Sequence, residues 1–130
     1  RHHEGMGLEL RVELFVADLD RFADFYTRVL GFELAVDRRR QDPPYAAVRR
    51  DLVRIGAARS WTPVDLDARG LPAGAELVVE CDDVTGERDR VISAGWPLDA
   101  DLTERPWGLL DFRLHDPDGY YLRFTSRKAG

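Results

Sequence analysis

Only one histidine of this chain stands away from its N-terminus, and only one cysteine occurs. His115 could act as a general base, but that role needs an orienting partner and a substrate within hydrogen-bond reach. The sequence shows neither, so a hydrogen-bonded strand histidine is the simpler reading. Cys81 alternates onto the apolar side of its segment and reads as a core thiol. A single cysteine excludes an intramolecular disulfide framework and a Cys-rich zinc module. No GxSxG, Walker loop, dinucleotide fingerprint or CxxC occurs. What recurs instead is alternating charge. Arg11, Glu13 and Phe15 interleave with Val12, Leu14 and Val16, and Glu76, Val78 and Glu80 with Leu77, Val79 and Cys81. Asp111, Arg113 and His115 oppose Leu110, Phe112 and Leu114, while Tyr121 and Arg123 oppose Leu122 and Phe124. Period two is the mark of a half-buried strand, so one sheet face carries acids and bases in near balance. Unpaired buried charge is very costly. These side chains must therefore face water, one another or a polar ligand.

The elements that position them follow from spacing. Leu8–Val16 reads as the first strand. Leu19, Phe22, Phe25, Tyr26, Val29 and Leu30 then recur at helical spacing, with Asp18 or Asp20 as N-cap and Gly31 as the stop. Phe32–Val36 is a short strand, and Tyr45–Val48 with Leu52–Ala57 a hairpin. Ser60–Gly74 holds Pro63, Gly70, Pro72 and Gly74 and reads as a linker. The pattern then restarts: strand Glu76–Cys81, an acid-capped helix Val84–Ala94, the stop at Gly95, an extended Pro97–Leu102, and strands Leu109–His115 and Tyr120–Thr125. Asp116, Asp118 and Gly119 read as turn chemistry, with positive φ at Gly119, and Trp96 as a core residue. Both halves share one order, which points to a duplication of about 50 residues. The expected organisation is a tail 1–5, a module 8–58, a linker 59–74 and a module 75–126.

The 130 residues carry 19 basic and 24 acidic side chains, a formal charge of −5. This length suits one domain or two small fused modules, with roughly two-thirds of the unfolded surface buried on folding. The acidic balance argues against nucleic acid as a partner. No apolar run approaches the roughly 20 residues of a bilayer span, and no secretory signal is evident. A cytoplasmic location is the expectation.

Two segments carry a resemblance. VADLDRFADFYTRVLGFEL resembles the first-module signature of the vicinal oxygen chelate superfamily, which holds glyoxalases, bleomycin-resistance proteins and ring-cleaving dioxygenases. RPWGLLDFRLHDPDGYYLRF resembles its last two strands. The likeness spans Leu8 to Ser126 and is nearest to the bleomycin-resistance binding proteins. It implies an α+β fold of two tandem βαβββ modules forming cup-shaped mixed sheets, and a homodimer. In the family's enzymes a divalent metal in the cup polarises substrate oxygens. The resemblance places its ligand positions at Arg11, Glu76 and Arg123, with the remaining one near Arg54 or Gly56. A guanidinium has no lone pair to offer a metal, so the resemblance implies a site without metal or other cofactor, its ligands replaced by a charge-paired network.

The same likeness sets Trp107 in the loop that presents a stacking Trp, and Tyr45 at a second aromatic position of the groove. Val36 stands where the family has a third aromatic. Trp61 falls near the same groove. For Trp107, packing over the sheet edge is the competing reading. The implied function is non-catalytic binding of a small aromatic or cationic natural product. Tyr45, Trp107, Glu13, Phe15, Trp61, Arg11, Glu76, Asp111, Arg113 and Arg123 would line the site. The alternative is a metal-dependent glyoxalase-like lyase, isomerase or dioxygenase.

Overall fold

The computed structural model of the chain describes residues 7–69 and 72–127. The expected tail, Arg1–Gly5, lies outside them, as does Gly70 of the linker. The first half runs β1 (Val12–Val16), α1 (Leu19–Asp24), β2 (Glu33–Arg38), β3 (Tyr45–Arg50) and β4 (Val53–Arg59). A short helix, α2 (Leu66–Arg69), sits in the linker, where only loop was expected. The second half runs β5 (Leu77–Cys81), α3 (Val84–Ser93), β6 (Ala100–Glu104), β7 (Leu110–His115) and β8 (Tyr121–Ser126). The strands form two four-stranded mixed sheets, β1-β4-β3-β2 and β5-β8-β7-β6. In each, the first strand pairs parallel with the last and the others pair antiparallel. This is the repeated βαβββ architecture, and the fold is α+β.

Each helix begins on an acid. The Asp18 carboxylate accepts from the Asp20 and Arg21 N–H groups, and that of Asp83 from Gly86 N–H. Such caps satisfy donors that the first helical turn leaves unpaired. Gly31 and Gly95 end the helical segments at φ 77° and 80°, a region costly for other residues. The first helix departs from its expected form beyond Asp24. Phe25–Val29 is a π-helical turn, with Leu30 N–H donating to Phe25 C=O at 3.2 Å. The wider turn brings the neighbours Phe25 and Tyr26, and then Val29 and Leu30, to buried positions.

α1 packs on β3 and β4, and α3 on β7 and β8. Leu14, Val16, Val48 and Ile55 of the first sheet share one core with Phe112, Leu114, Leu122 and Phe124 of the second. Phe112 and Phe124 stack at 5.1 Å, and Trp96 lies against Phe25 at 4.7 Å. The first strand is shorter than its alternation suggests. Pairing begins at Val12 opposite Ile55, and Leu8 and Leu10 are exposed. Alternation marks a strand's faces, not the presence of a neighbour alongside it.

Asp116 and Asp118 do more than shape a turn. Both are buried where the β7–β8 turn meets β1. Tyr26 Oη donates to Asp116 Oδ2 at 2.9 Å, and Ala17 N–H donates to Asp118 Oδ1 at 2.7 Å. Asp118 and Tyr120 N–H groups donate to Asp116 Oδ1, each at 2.9 Å. Gly119, at φ 84°, lies against Arg69 of α2, where a Cβ would come within 2.8 Å of the arginine Cβ. Arg69 in turn reaches Phe15 C=O at 2.9 Å and covers the Tyr120 ring. The turn thus ties the two modules and the linker together.

Candidate functional site

The polar faces turn away from the helices, as the alternation requires. On the first sheet, register sets Glu13 beside Gly56, Gly56 beside Ala47, and Tyr45 beside Ala58. Tyr45 Oη donates to Glu13 Oε2 at 2.8 Å, and Arg11 Nε lies 3.1 Å from the same oxygen. Burial, and then the Glu13 carboxylate, push the Tyr45 hydroxyl above its ordinary pKa. Gly56 makes the arrangement possible, because a Cβ there would collide with the Glu13 carboxylate and the Tyr45 hydroxyl. A glycine inside an apolar strand is itself the sequence signal for such a close approach. Phe15, on the same face, is 43% exposed.

On the second sheet, Arg123 lies between Val78 and Arg113 in register, and Asp111 opposite Thr125. Arg123 Nη2 donates to Glu76 Oε1 at 3.0 Å. Asp111 is fully buried between two guanidiniums, accepting from Arg105 Nε at 3.0 Å and Arg113 Nη2 at 3.3 Å. Burial pushes its carboxyl pKa up, but the hydrogen bonds from Arg105 and Arg113 outweigh that and hold it below the ordinary range. Arg105, which the sequence reading passed over, lies two residues before Trp107. The β6–β7 turn, closed by Gly108 N–H to Arg105 C=O at 2.9 Å, leaves Trp107 53% exposed. Trp61 is almost wholly exposed after β4.

Glu13, Glu76 and Asp111 therefore each hold an arginine already, which leaves none of the three unengaged to select a cation. Among the described residues, no hydrogen bond or ion pair joins Arg11, Glu13 or Tyr45 to Glu76, Asp111 or Arg123. The chain brings together each half of the expected site but not the two halves.

A divalent metal does not fit these residues. Arg11 and Arg123 have no lone pair to offer, and Glu13, Glu76 and Asp111 are each engaged by a guanidinium. His115 meets Asp99 through Nδ1 at 3.0 Å and stands opposite Tyr121 on the same polar face. Its backbone C=O accepts from Trp96 Nε1 at 2.9 Å. A cavity of about 790 Å³ lies elsewhere, between the β3–β4 turn and β5. Phe32, Leu52, Val79, Cys81, Glu87 and Phe124 line it. Cys81 is half-buried, packed against the core where it meets the cavity wall, and burial pushes its thiol up to about 11. Glu87 there is held by Arg50 at 2.6 Å.

Paired βαβββ modules with a charge-paired polar sheet face define a class of small mixed-sheet proteins. Residues 10–124 match the Glyoxalase/Bleomycin resistance protein/Dioxygenase superfamily. The chain belongs to that superfamily, also called vicinal oxygen chelate. A lactoylglutathione lyase of Neisseria meningitidis is 29% identical, the match covering 93% of this chain and 91% of that protein. The structure of TioX from Micromonospora sp. ML1 superposes with a TM-score of 0.74 at 26% identity, over 94% of this chain and all (100%) of the other. A superfamily member from Alicyclobacillus acidocaldarius reaches a TM-score of 0.76 at 20% identity, over 95% of this chain and 93% of the other, a likeness of fold. No helix among the described residues is long and apolar enough to cross a membrane.

Proposed function

We propose that this chain binds a small, flat aromatic molecule without transforming it, and that two copies build each site. The observation that carries the reading is Trp107. It is held half exposed at the end of a tight turn of the sheet that carries Glu76 and Arg123, which with Arg11 on the other sheet stand where the resemblance places the family's metal ligands. An exposed indole offers ring stacking, and the neighbouring guanidiniums offer polar contacts. The second copy follows from the separation of the half-sites. β1 and β5 are edge strands of their sheets, and edges are ready templates for another chain. Phe15 and Val78 stand exposed on them, and Leu8 and Leu10 precede β1 equally exposed. Setting β1 of one copy against β5 of the other would set Phe15, Glu13 and Tyr45 on one continuous sheet with Glu76 and Arg123, with Trp107 at the far side, in the β6–β7 turn.

Native mass spectrometry against flat aromatic natural products, with Trp107→Ala as the comparison, tests the reading. Binding should weaken about tenfold or more while the melting temperature holds. An equal loss of both would make Trp107 a packing residue and refute the site. The second reading is a glyoxalase-like lyase. The Neisseria relative and the His115–Asp99 pair favour it, and turnover of a hemithioacetal by the purified protein would establish it.

A further inference from the structure

We infer that the ligand carries a carboxylate or like anion, bound between Arg113 and Arg123 beside the ring that Trp107 stacks. This rests on the binding reading above and names the chemistry its ligand must have. Arg113 and Arg123 are direct register partners on β7 and β8, so like charges stand opposite each other on one face. Such a pair is destabilising unless something lies between. Each guanidinium gives one Nη to a neighbouring carboxylate, Arg113 to Asp111 and Arg123 to Glu76. The Nε–H of both meets no acceptor among the described residues and is covered by neighbouring side chains, so a ligand reaches the pair through the rest of each guanidinium, the side chains being 21% and 22% exposed. A buried donor without an acceptor carries its full desolvation cost, and such costs gather at functional sites. Two adjacent arginines carry the same defect here.

The charge count agrees. Arg105, Arg113 and Arg123 face Asp111 and Glu76, three cations against two anions. Glu80, further along β5, turns to Arg127 at 3.9 Å. Asp99 on the same face is taken by His115, so among the direct contacts of the two guanidiniums the cations outnumber the anions. A planar two-oxygen acceptor matches the fork geometry of arginine, and entering between them it would separate the like charges. A cationic guest would meet the excess guanidinium directly.

Three probes of one shape test this: naphthalene-2-carboxylate, naphthalene-2-carboxamide and 2-(aminomethyl)naphthalene, titrated by tryptophan fluorescence and heteronuclear NMR. The carboxylate should bind about tenfold or more tighter than the other two. Arg113→Gln and Arg123→Gln should each remove most of that preference, and Arg→Lys at the same positions should restore part of it. Both Gln variants should fold, because Asp111 keeps Arg105 and Glu76 is partly solvated; melting curves check that, and the Lys variants carry the test if they do not. Equal affinity for carboxylate and amide, with Trp107→Ala weakening both, would overturn the anion and leave the aromatic site standing. Arginine-dependent carboxylate binding indifferent to Trp107→Ala would keep the anion and overturn the stacking site. No binding of any probe at millimolar concentration would overturn both.

Discussion

Replacing Asp116 with Asn should remove a pH-dependent weakness at the junction between the modules. Asp116 is almost wholly buried. Burial raises its carboxyl pKa to about 6, against the lowering effect of hydrogen bonds from Tyr120, Tyr26 and Asp118. The folded state then holds a proton that the unfolded chain releases near pH 3.8. Stability from this group is complete below pH 3.8 and falls as pH rises to about 6, beyond which it is constant. At about 1.4 kcal/mol per tenfold change in proton affinity, the whole effect is about 3 kcal/mol, most of it between pH 4 and pH 7. Asp118 is raised too, mainly by burial, and acts in the same direction. Asp37 and Asp101, held down to about 2 chiefly by Arg39 and Arg88, act oppositely, and only below pH 3.8. The windows are separate, so urea unfolding of wild type and Asp116→Asn from pH 4 to pH 8 isolates the effect. Asn keeps an oxygen for the Asp118 and Tyr120 N–H groups but cannot ionise. The stability difference should move in favour of the variant by about 2 kcal/mol across pH 4–7 and stay flat above. A difference independent of pH would refute the assignment of that carboxyl as the junction's titrating group.

Gly56→Ala should push apart Glu13 and Tyr45, costing about 1–3 kcal/mol of stability and weakening ligand binding; chemical denaturation and the naphthalene titrations read the two effects. Phe15→Glu and Val78→Glu should each shift the sedimentation of the protein toward the monomer and abolish ligand binding with it, whereas an unchanged sedimentation coefficient would remove the second copy from the site. Trp107→Ala should leave sedimentation untouched, which separates loss of stacking from loss of assembly.

What the sequence made legible was whatever repeats at a fixed period. Alternation placed Arg11, Glu13, Glu76, Asp111, Arg113 and Arg123 on polar sheet faces, and the acid-to-glycine interval located both helices. Pairings between distant residues carry no period. Nothing in DPDG says that Asp118 will accept from Ala17, or that Asp116 will receive the hydroxyl of Tyr26. The charge-paired network the resemblance implies appears as Glu76 with Arg123, but nothing in the chain announces that Asp111 is shared by Arg105 and Arg113, or that Leu8 and Leu10 lack a strand beside them.

The duplication sharpens that point, because it sets two turns in equivalent places with opposite chemistry. The β7–β8 turn sends two carboxylates into the junction, where they accept from Ala17 N–H just after β1, from N–H groups of the turn and from the Tyr26 hydroxyl. The β3–β4 turn brings Arg50 instead, which caps Leu30 C=O at 2.9 Å and grips Glu87 of α3. The first junction is filled by Tyr26 and strapped by Arg69 from the linker, while the second leaves the cavity beside Cys81. A repeat that preserves strand order thus does not preserve what the strands hold. The same divergence operates on the polar faces. The first sheet keeps one acid with a tyrosine and a glycine-made hollow, and the second keeps paired arginines beside an exposed indole. Among the described residues neither face gathers three donors for a metal, yet the two are complementary as halves of one site: an aromatic and acid-bearing half beside a cationic one. Joining them needs only the free edges of β1 and β5, which is why assembly, stacking and anion recognition should fail separately under different substitutions.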